Sequence, residues 1–407
     1  MQRNDKKEIR IWVNHWFSTM YRLIEDARRH LNGLVNYHYN DSLASPSIIS
    51  YSFKFIGTNK LSACVYQKVC DEFYIEPSDI SGDDYVDWCL NFCEEHNIDI
   101  FAPRREQMSI ARRAEEFKSK NILLLCDTDA DKLDICDDKF KTYMHMHDVL
   151  AQPHCMVANN YDEFIKALDT LSAVYPHDRI CFKYSRGEGA TSFRVIDDNM
   201  EDISSLTSGM GMKMSRAMAE AMFKSVDHFD DLLLMPYMKG PEISIDCIPT
   251  SRGLVVIPRM KKGRVTQIIP HKKYIELARQ FNDTMGLERP FNIQFRWFNG
   301  ELMFMEVNTR LSGGSHIVGM GSGDCNIRLL TLDDNTLPLG DTSKVVNKLA
   351  EQYAYGIHPI SVLGVAIEQL LFGDISYTTF ACCSTFIIGN DNLEVEFTQI
   401  ETPIKLK

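Results

Sequence analysis

Short apolar runs and amphipathic stretches alternate through the first third of the chain. Ile9–Val13 is a continuous apolar run, which predicts a buried parallel strand. The loop Asn14–Phe17 follows, and Ser18 or Thr19 can cap a helix over Met20–Leu31, with Tyr21, Ile24 and Ala27 on its apolar side. Leu34–Tyr37 predicts the next strand, Asn59–Phe73 and Asp83–His96 helices, and Ile98–Ala102 a strand. Glu106–Lys118 then predicts a helix and Ile122–Cys126 a strand. Strands alternating with helices indicate a doubly wound parallel sheet, which binds ligands at the carboxyl ends of its strands. That places Asn14–Phe17 and Pro103–Arg105 beside a ligand crevice. Trp16, Phe17, His15, Arg104 and Arg105 suit a planar or anionic acid there.

Phe291–His316 reads as two strands joined by a tight turn at Asn299-Gly300. Gln294, Glu306 and Asn308 interrupt its apolar pattern. Glu306 and Asn308 are two apart and share one strand face, and Gln294 can lie across from Glu306 on a paired hairpin. Arg310 follows, and Gly313-Gly314 lets the backbone turn sharply. Three oxygen ligands beside an arginine and a glycine-rich turn suit Mg²⁺ bridging phosphates. Taken singly, each residue reads as part of a solvated sheet face; the set does not. Upstream, the strand Ile180–Ser185 enters a loop with Gly187, Glu188 and Gly189 and returns through Ser192–Ile196. Glycine N–H groups there can approach an anion closely, with Lys183 projecting toward it.

Glu306-Val307-Asn308-Thr309-Arg310, with Gln294 upstream, resembles the metal-binding core of the ATP-grasp superfamily, and the resemblance runs from about Asp138 to His316. It implies an α/β chain: an ATP-grasp fold preceded by a doubly wound parallel-sheet domain. The domains would be 1–126, then 127–330 with a lid subdomain at about 153–234. Residues 331–407 would add a helix at Ile360–Leu371 and a hairpin of Thr378–Ile388 and Leu393–Ile400. Lys139, opening a helix to Leu150, and Lys183 would hold the α- and β-phosphates, and Gly187–Gly189 would close as a lid. Leu232–Asp246 resembles the family's hinge. Adenine needs one carbonyl acceptor and one N–H donor, which Pro236 and Met238 supply on either side of Tyr237, and Glu242 would take the ribose hydroxyls. Gln294, Glu306 and Asn308 would hold one or two Mg²⁺ ions, with Mn²⁺ as the alternative. Arg310 and Arg259 would stabilise the transferring phosphoryl group. Gln294 stands where Glu is commoner, Pro236 where the hinge has Glu, and Asn14–Trp16 where the first turn is glycine-rich.

The branch resembled is that of biotin carboxylase and carbamoyl-phosphate synthase. It implies a cytoplasmic carboxylate–amine ligase that forms an acyl phosphate, releases ADP and phosphate, and takes small-molecule acid and amine substrates. A homodimer is compatible with this. The alternatives are a phosphotransferase at the same site and a catalytically silent nucleotide-binding regulator. A Met-Lys-Met biotin attachment motif is absent, which argues against a biotin-dependent carboxylase.

The 407 residues allow two or three domains, and 44% hydrophobic with 25% charged residues is ordinary for a globular chain. A net charge of −12 argues against non-specific nucleic-acid binding. No apolar run is long enough to span a bilayer, and the charged start is no secretory signal, so no membrane role is expected. The twelve cysteines read as reduced and mostly buried. Cys89, Cys93 and His96, and His145, His147, His154 and Cys155, read as core or surface residues in preference to metal ligands. The Met-rich stretch Gly209–Met222 reads as a gap-filling core face.

Overall fold

Nine residues of strand β1 (Lys6–Asn14) pair in parallel with β2 (Ser50–Asn59), from Lys6↔Ser50 to Asn14↔Thr58. β1 is the centre of a five-stranded parallel sheet with β3 (Glu72–Ile75), β4 (Ile100–Ala102) and β5 (Leu123–Leu124), in the order β3-β2-β1-β4-β5. The computed structural model describes residues 6–41, 50–187, 191–199, 212–262, 265–269, 271–319, 360–376, 379, 383 and 387–388. Expectations for Glu188, Gly189 and most of the terminal hairpin lie outside these residues.

Ile9, Ile11 and Val13 face one side of β1 and pack with Leu23, Ile24 and Ala27 of α1 (Met20–Asp41). Trp12 faces the other side, stacked on Phe101 at 3.8 Å and tilted on Phe92 of α2 (Gly82–Glu95). Asp83 and Asp84 in the first turn of α2 complement its dipole. Cys89 and Cys93 lie in that same core, and burial pushes both thiols up. After β4 come α3 (Gln107–Arg112) and α4 (Ala114–Ser119), two short helices where the sequence predicts one.

Two further expectations are corrected. Leu34–Tyr37 belongs to α1, not to a strand, because a four-residue apolar run is compatible with either period. Asn59–Phe73 is not a helix: β2 ends at Asn59, a 3₁₀ turn covers Val65–Val69, and β3 begins at Glu72.

The chain divides into two compact units. One comprises Met1–Leu133, Ser244–Asn292 and Asn308–Lys407; the other comprises Asp134–Ile243 and Ile293–Val307. The second unit holds a sheet of β6 (Met156–Ala158), β7 (Ile180–Tyr184), β8 (Arg194–Ile196), β9 (Lys213–Met214) and β10 (Leu232–Pro236), ordered β6-β10-β7-β8-β9. Helix α5 (Ala130–Asp137) leads into α6 (Lys139–His145) before this sheet. Helices α7 (Tyr161–Val174) and α8 (Arg216–Lys224) supply Phe164 and Phe223 to a core shared with Phe182 of β7. Asn160 and Ser215 cap them through side-chain bonds to the N–H groups of Glu163 and Met218. Ala219 and Phe223 are the residues α8 buries; of the methionines before them and on the helix, Met214 lies in the core, whereas Met218 and Met222 are 57% and 43% exposed.

A third sheet runs in the order β13-β12-β11-β14-β15. Its strands are β11 (Glu242–Thr250), β12 (Gly253–Lys262), β13 (Val265–Ile268), β14 (Phe291–Phe298) and β15 (Glu301–Asn308), and β16 (Ile387–Ile388) pairs with β12. Strands β11, β14 and β15 each pass from one unit to the other along their own length. Asn299 and Gly300 both have positive φ (50° and 82°), as a two-residue primed turn requires. Helix α9 (Lys272–Met285) precedes β14.

Within the first unit, α1 packs on α10 (Val362–Phe372), and Gly364 admits the His30 ring. His30 Nε2 lies 2.8 Å from Oε2 of Glu368, which is 1% exposed; Glu368 also accepts from Thr379 Oγ1 (2.7 Å) and the Ser376 N–H (2.6 Å). Burial alone would raise the Glu368 carboxyl, but these bonds and His30 hold it below its ordinary value. A carboxylate depressed in the folded state stabilises above its unfolded value of about 4.3 and loses that contribution as pH falls through the folded value. The resistance of the first unit to urea should therefore weaken as pH drops below about 5. Glu368→Gln should flatten that decline; an unchanged pH slope would remove Glu368 from the account.

Candidate functional site

Residue Asp138 begins the site in the second unit. Its side chain caps α6 by accepting from the N–H groups of Phe140 (3.0 Å) and Lys141 (3.1 Å), and it also accepts from Ser185 Oγ at 2.5 Å. Ser185 follows β7, so the start of α6 is tied to the end of that strand. The Lys139 N–H donates to the Ser185 carbonyl (3.0 Å), and Lys139 Nζ donates to the carbonyls of Gly187 (2.9 Å) and Ser185 (3.3 Å). Lys183, near the end of β7, places Nζ 2.9 Å from Glu306 Oε2. Both lysines are buried. Burial lowers the pKa of Lys139, helped by the like charge of Lys183 and opposed by Glu306. Two buried ammonium groups and one carboxylate thus converge at the entrance to the glycine loop.

Arg186 anchors the start of that loop through Asp134 (2.7 Å), Asp137 (3.0 Å) and Asp138 (3.5 Å). The sequence reading missed it, because an arginine in a polar loop carries no local pattern. Gly187 has φ +113°, open to glycine and strained for other residues.

At the far end of the same sheet, β10 pairs antiparallel with β7 as far as Pro236↔Ile180. The Tyr237 N–H donates to the Arg179 carbonyl (2.7 Å). Backbone groups alternate sides along an antiparallel ladder, so the Pro236 carbonyl points away from β7. Arg296 on β14 donates to the Met238 carbonyl (3.2 Å) and pairs with Glu242 Oε2 (3.0 Å). Sequence reasoning also missed Arg296, although it stands two residues beyond Gln294 on the same face of the strand. Gly240 lies against the backbone of β14: an added Cβ would sit 2.6 Å from Trp297 Cβ and 2.8 Å from its carbonyl carbon. Gly240→Ala should therefore push the hinge off β14, costing about 1–3 kcal/mol and weakening binding of a fluorescent ADP analogue. Unchanged thermal stability and analogue affinity would show that the hinge tolerates the methyl group.

On β15 the buried residues are Leu302, Phe304 and then Val307, and Glu306 and Asn308 alternate away from Val307. Asn308 ends β15, and Arg310 follows it. Arg310 is 9% exposed, and its guanidinium lies 5.1 Å from the Phe17 ring centroid.

The sequence reading gives Arg259 to the phosphoryl group, and the structure sets its guanidinium among polar side chains. Its guanidinium ends in a buried cluster: Nε donates to Asp246 Oδ2 (2.7 Å), and Nη2 donates to Ser312 Oγ (2.9 Å) and Ser244 Oγ (3.2 Å). Asp246 Oδ1 accepts from Ser315 Oγ (2.6 Å) and Asn292 Nδ2 (2.9 Å). Ser315 Oγ accepts from the Ser312 N–H (2.8 Å). Gly314 has no Cβ to collide with the guanidinium, whose Nη1 lies 2.5 Å from where one would be. Arg259 and Asp246 thus fasten the Ser312–Ser315 turn that follows Arg310, a role for Asp246 that the strand pattern alone did not show.

The donors fit the expected groups. Glu306, Gln294 and Asn308 offer hard oxygen ligands of the kind Mg²⁺ takes, and Lys139 and Lys183 offer charge for phosphate. The Lys183–Glu306 pair is compatible with both, since Mg²⁺ and a phosphate together replace each partner's counter-charge. Among the described residues, no group of three or more His, Cys, Asp or Glu forms a metal cluster, and no helix is long and apolar enough to cross a membrane.

A family model described as "ATP-grasp in the biosynthetic pathway with Ter operon" matches residues 228–348. No curated protein matches the chain in sequence. Among solved structures, the L-amino acid ligase from Bacillus licheniformis aligns over 94% of this chain and 77% of its own, with a TM-score of 0.54 and 12% identity. Biotin carboxylase from Campylobacter jejuni, in a β-γ-ATP complex, aligns over 77% of this chain and 68% of its own (TM-score 0.49, 15% identity). D-alanine–D-alanine ligase from Bacillus anthracis aligns over 90% and 98% (TM-score 0.43, 13% identity). The chain has the α/β ATP-grasp fold, with a parallel sheet at its start.

Proposed function

We propose that the chain is an ATP-dependent ligase that activates a carboxylate as an acyl phosphate, joins it to an amine or similar nucleophile, and releases ADP and phosphate. The convergence of Lys139, Lys183 and Glu306 within one unit carries this reading. Lys139 and Lys183 hold the α- and β-phosphates, so that the γ-phosphoryl group stands in line with the acid. The Pro236 carbonyl and Met238 N–H take adenine beside Tyr237. Glu242, oriented by Arg296, takes the ribose hydroxyls. Glu306 and Asn308, with Gln294, hold Mg²⁺, which when bound neutralises charge on the transferred phosphoryl group. Arg310 stabilises the acyl phosphate. Arg259 acts through the Ser312–Ser315 turn and not on the substrate.

Incubation with Mg²⁺-ATP and pairs drawn from a panel of amino acids, followed by mass spectrometry, tests the proposal. ADP and phosphate appearing in step with an amide support it. ADP with a phosphorylated product and no free phosphate establishes a phosphotransferase. ATP bound but never turned over, in wild type and Glu306→Ala alike, establishes a binding module.

A further inference from the structure

The aromatic and basic residues at the carboxyl ends of β1 and β4 divide into two groups. Trp16 is buried, and its Nε1 donates to the Ala102 carbonyl (2.9 Å). Arg105 lies over the Tyr85 ring at 4.0 Å, donates to the Pro77 carbonyl (2.8 Å) and pairs with Glu76 (3.4 Å). These two belong to the frame of the sheet. Phe17 differs: it is half-buried, and two guanidinium groups lie over its ring, Arg104 at 4.1 Å and Arg310 at 5.1 Å. The Gly313 backbone lies against the same ring, with an added Cβ in ordinary van der Waals contact at 3.7 Å.

Arg104 is fixed in place by backbone and side chain. Its N–H donates to Asn14 Oδ1 (2.6 Å) and its Nη1 to the His15 carbonyl (2.8 Å). His15 turns the chain here with a left-handed backbone (φ 46°), rare for a non-glycine residue and common at ligand sites. Burial lowers the His15 pKa; Glu76 opposes this, and the nearby Arg104, Lys60 and Arg105 reinforce it. The aromatic face steadies each guanidinium, and the planar fork of arginine matches a carboxylate.

We infer that the acid activated by this chain is a dicarboxylate, its second carboxylate held by Arg104 beside Phe17 while Arg310 serves the reacting one. The inference rests on the ligase reading and names its substrate class. A monocarboxylate of the same length engages one of these two guanidinium groups, and a dicarboxylate engages both.

Calorimetric titration of the full chain with succinate and glutarate against butyrate and valerate decides it, with and without Mg²⁺ and a non-hydrolysable ATP analogue. The dicarboxylates should bind at least about 10-fold more tightly, the scale of one charge-assisted hydrogen bond. Arg104→Met should abolish the preference and leave affinity for the analogue unchanged, and Arg104→Lys should restore part of it. Dicarboxylates binding no tighter than their matched monocarboxylates, or a preference that survives Arg104→Met, overturns the inference. Analogue binding without the preference sinks this inference alone. Absence of analogue binding sinks the ligase reading, and the titrations without nucleotide still decide the acid class.

Discussion

Glu306→Gln should lower ATP turnover by at least about 10²-fold, the scale of losing one preorganised charge-stabilising group. The side chain keeps its shape and one oxygen but loses the negative charge that Mg²⁺ needs. Lys183 loses the carboxylate 2.9 Å away while remaining able to meet a phosphate. The substitution therefore separates two functions. Nucleotide affinity measured without metal should change little, whereas Mn²⁺ binding followed by electron paramagnetic resonance in the presence of ADP should fall sharply. Lys183→Met should do the reverse, weakening the nucleotide without removing a metal ligand. Turnover of Glu306→Gln within threefold of wild type would mean that Glu306 is only the partner of Lys183.

The candidate site is read from signals that are local. Asn299-Gly300 fixes a hairpin turn from two residues, and Glu306, Asn308 and Arg310 follow at strand spacing. The order of Lys139 and Lys183 relative to the loop marks them as candidates, and the structure brings Lys139 to the loop carbonyl and Lys183 to Glu306. Arg296 and the Asp246 partner of Arg259 escape the sequence because the paired residues lie 54 and 13 positions apart. A charge inside a strand reads as solvent-facing until the neighbouring strand is known. The same limit explains β2. Its pairing with β1 from Ser50 to Thr58 is a long-range fact, whereas the residues after Asn59 alone suggest a helix. The exposed face of α8 shows the converse error: the Met pattern is helical, but Ala219 and Phe223 fill the only face that α8 buries.

Asp246→Ala should destabilise the first unit by about 3–5 kcal/mol, because it leaves the guanidinium of Arg259 buried without its counter-charge. Asp246 is 0% and Arg259 4% exposed, so water cannot take the place of the lost carboxylate. The same change removes one acceptor from Ser315 Oγ and one from Asn292 Nδ2, each of which donates to Asp246 Oδ1. The chain has two units, so the readout is the urea midpoint of the first unit's transition, not a single global stability. Asp246→Leu combined with Arg259→Met should recover much of the loss, since replacing both members of a buried pair with apolar groups is often neutral. The double variant also isolates Arg259's part in function: a folded protein whose Ser312–Ser315 turn has lost its fastening should retain nucleotide binding and lose kcat. Asp246→Ala within 1 kcal/mol of wild type would show that the cluster is hydrated and that the turn is held by other bonds.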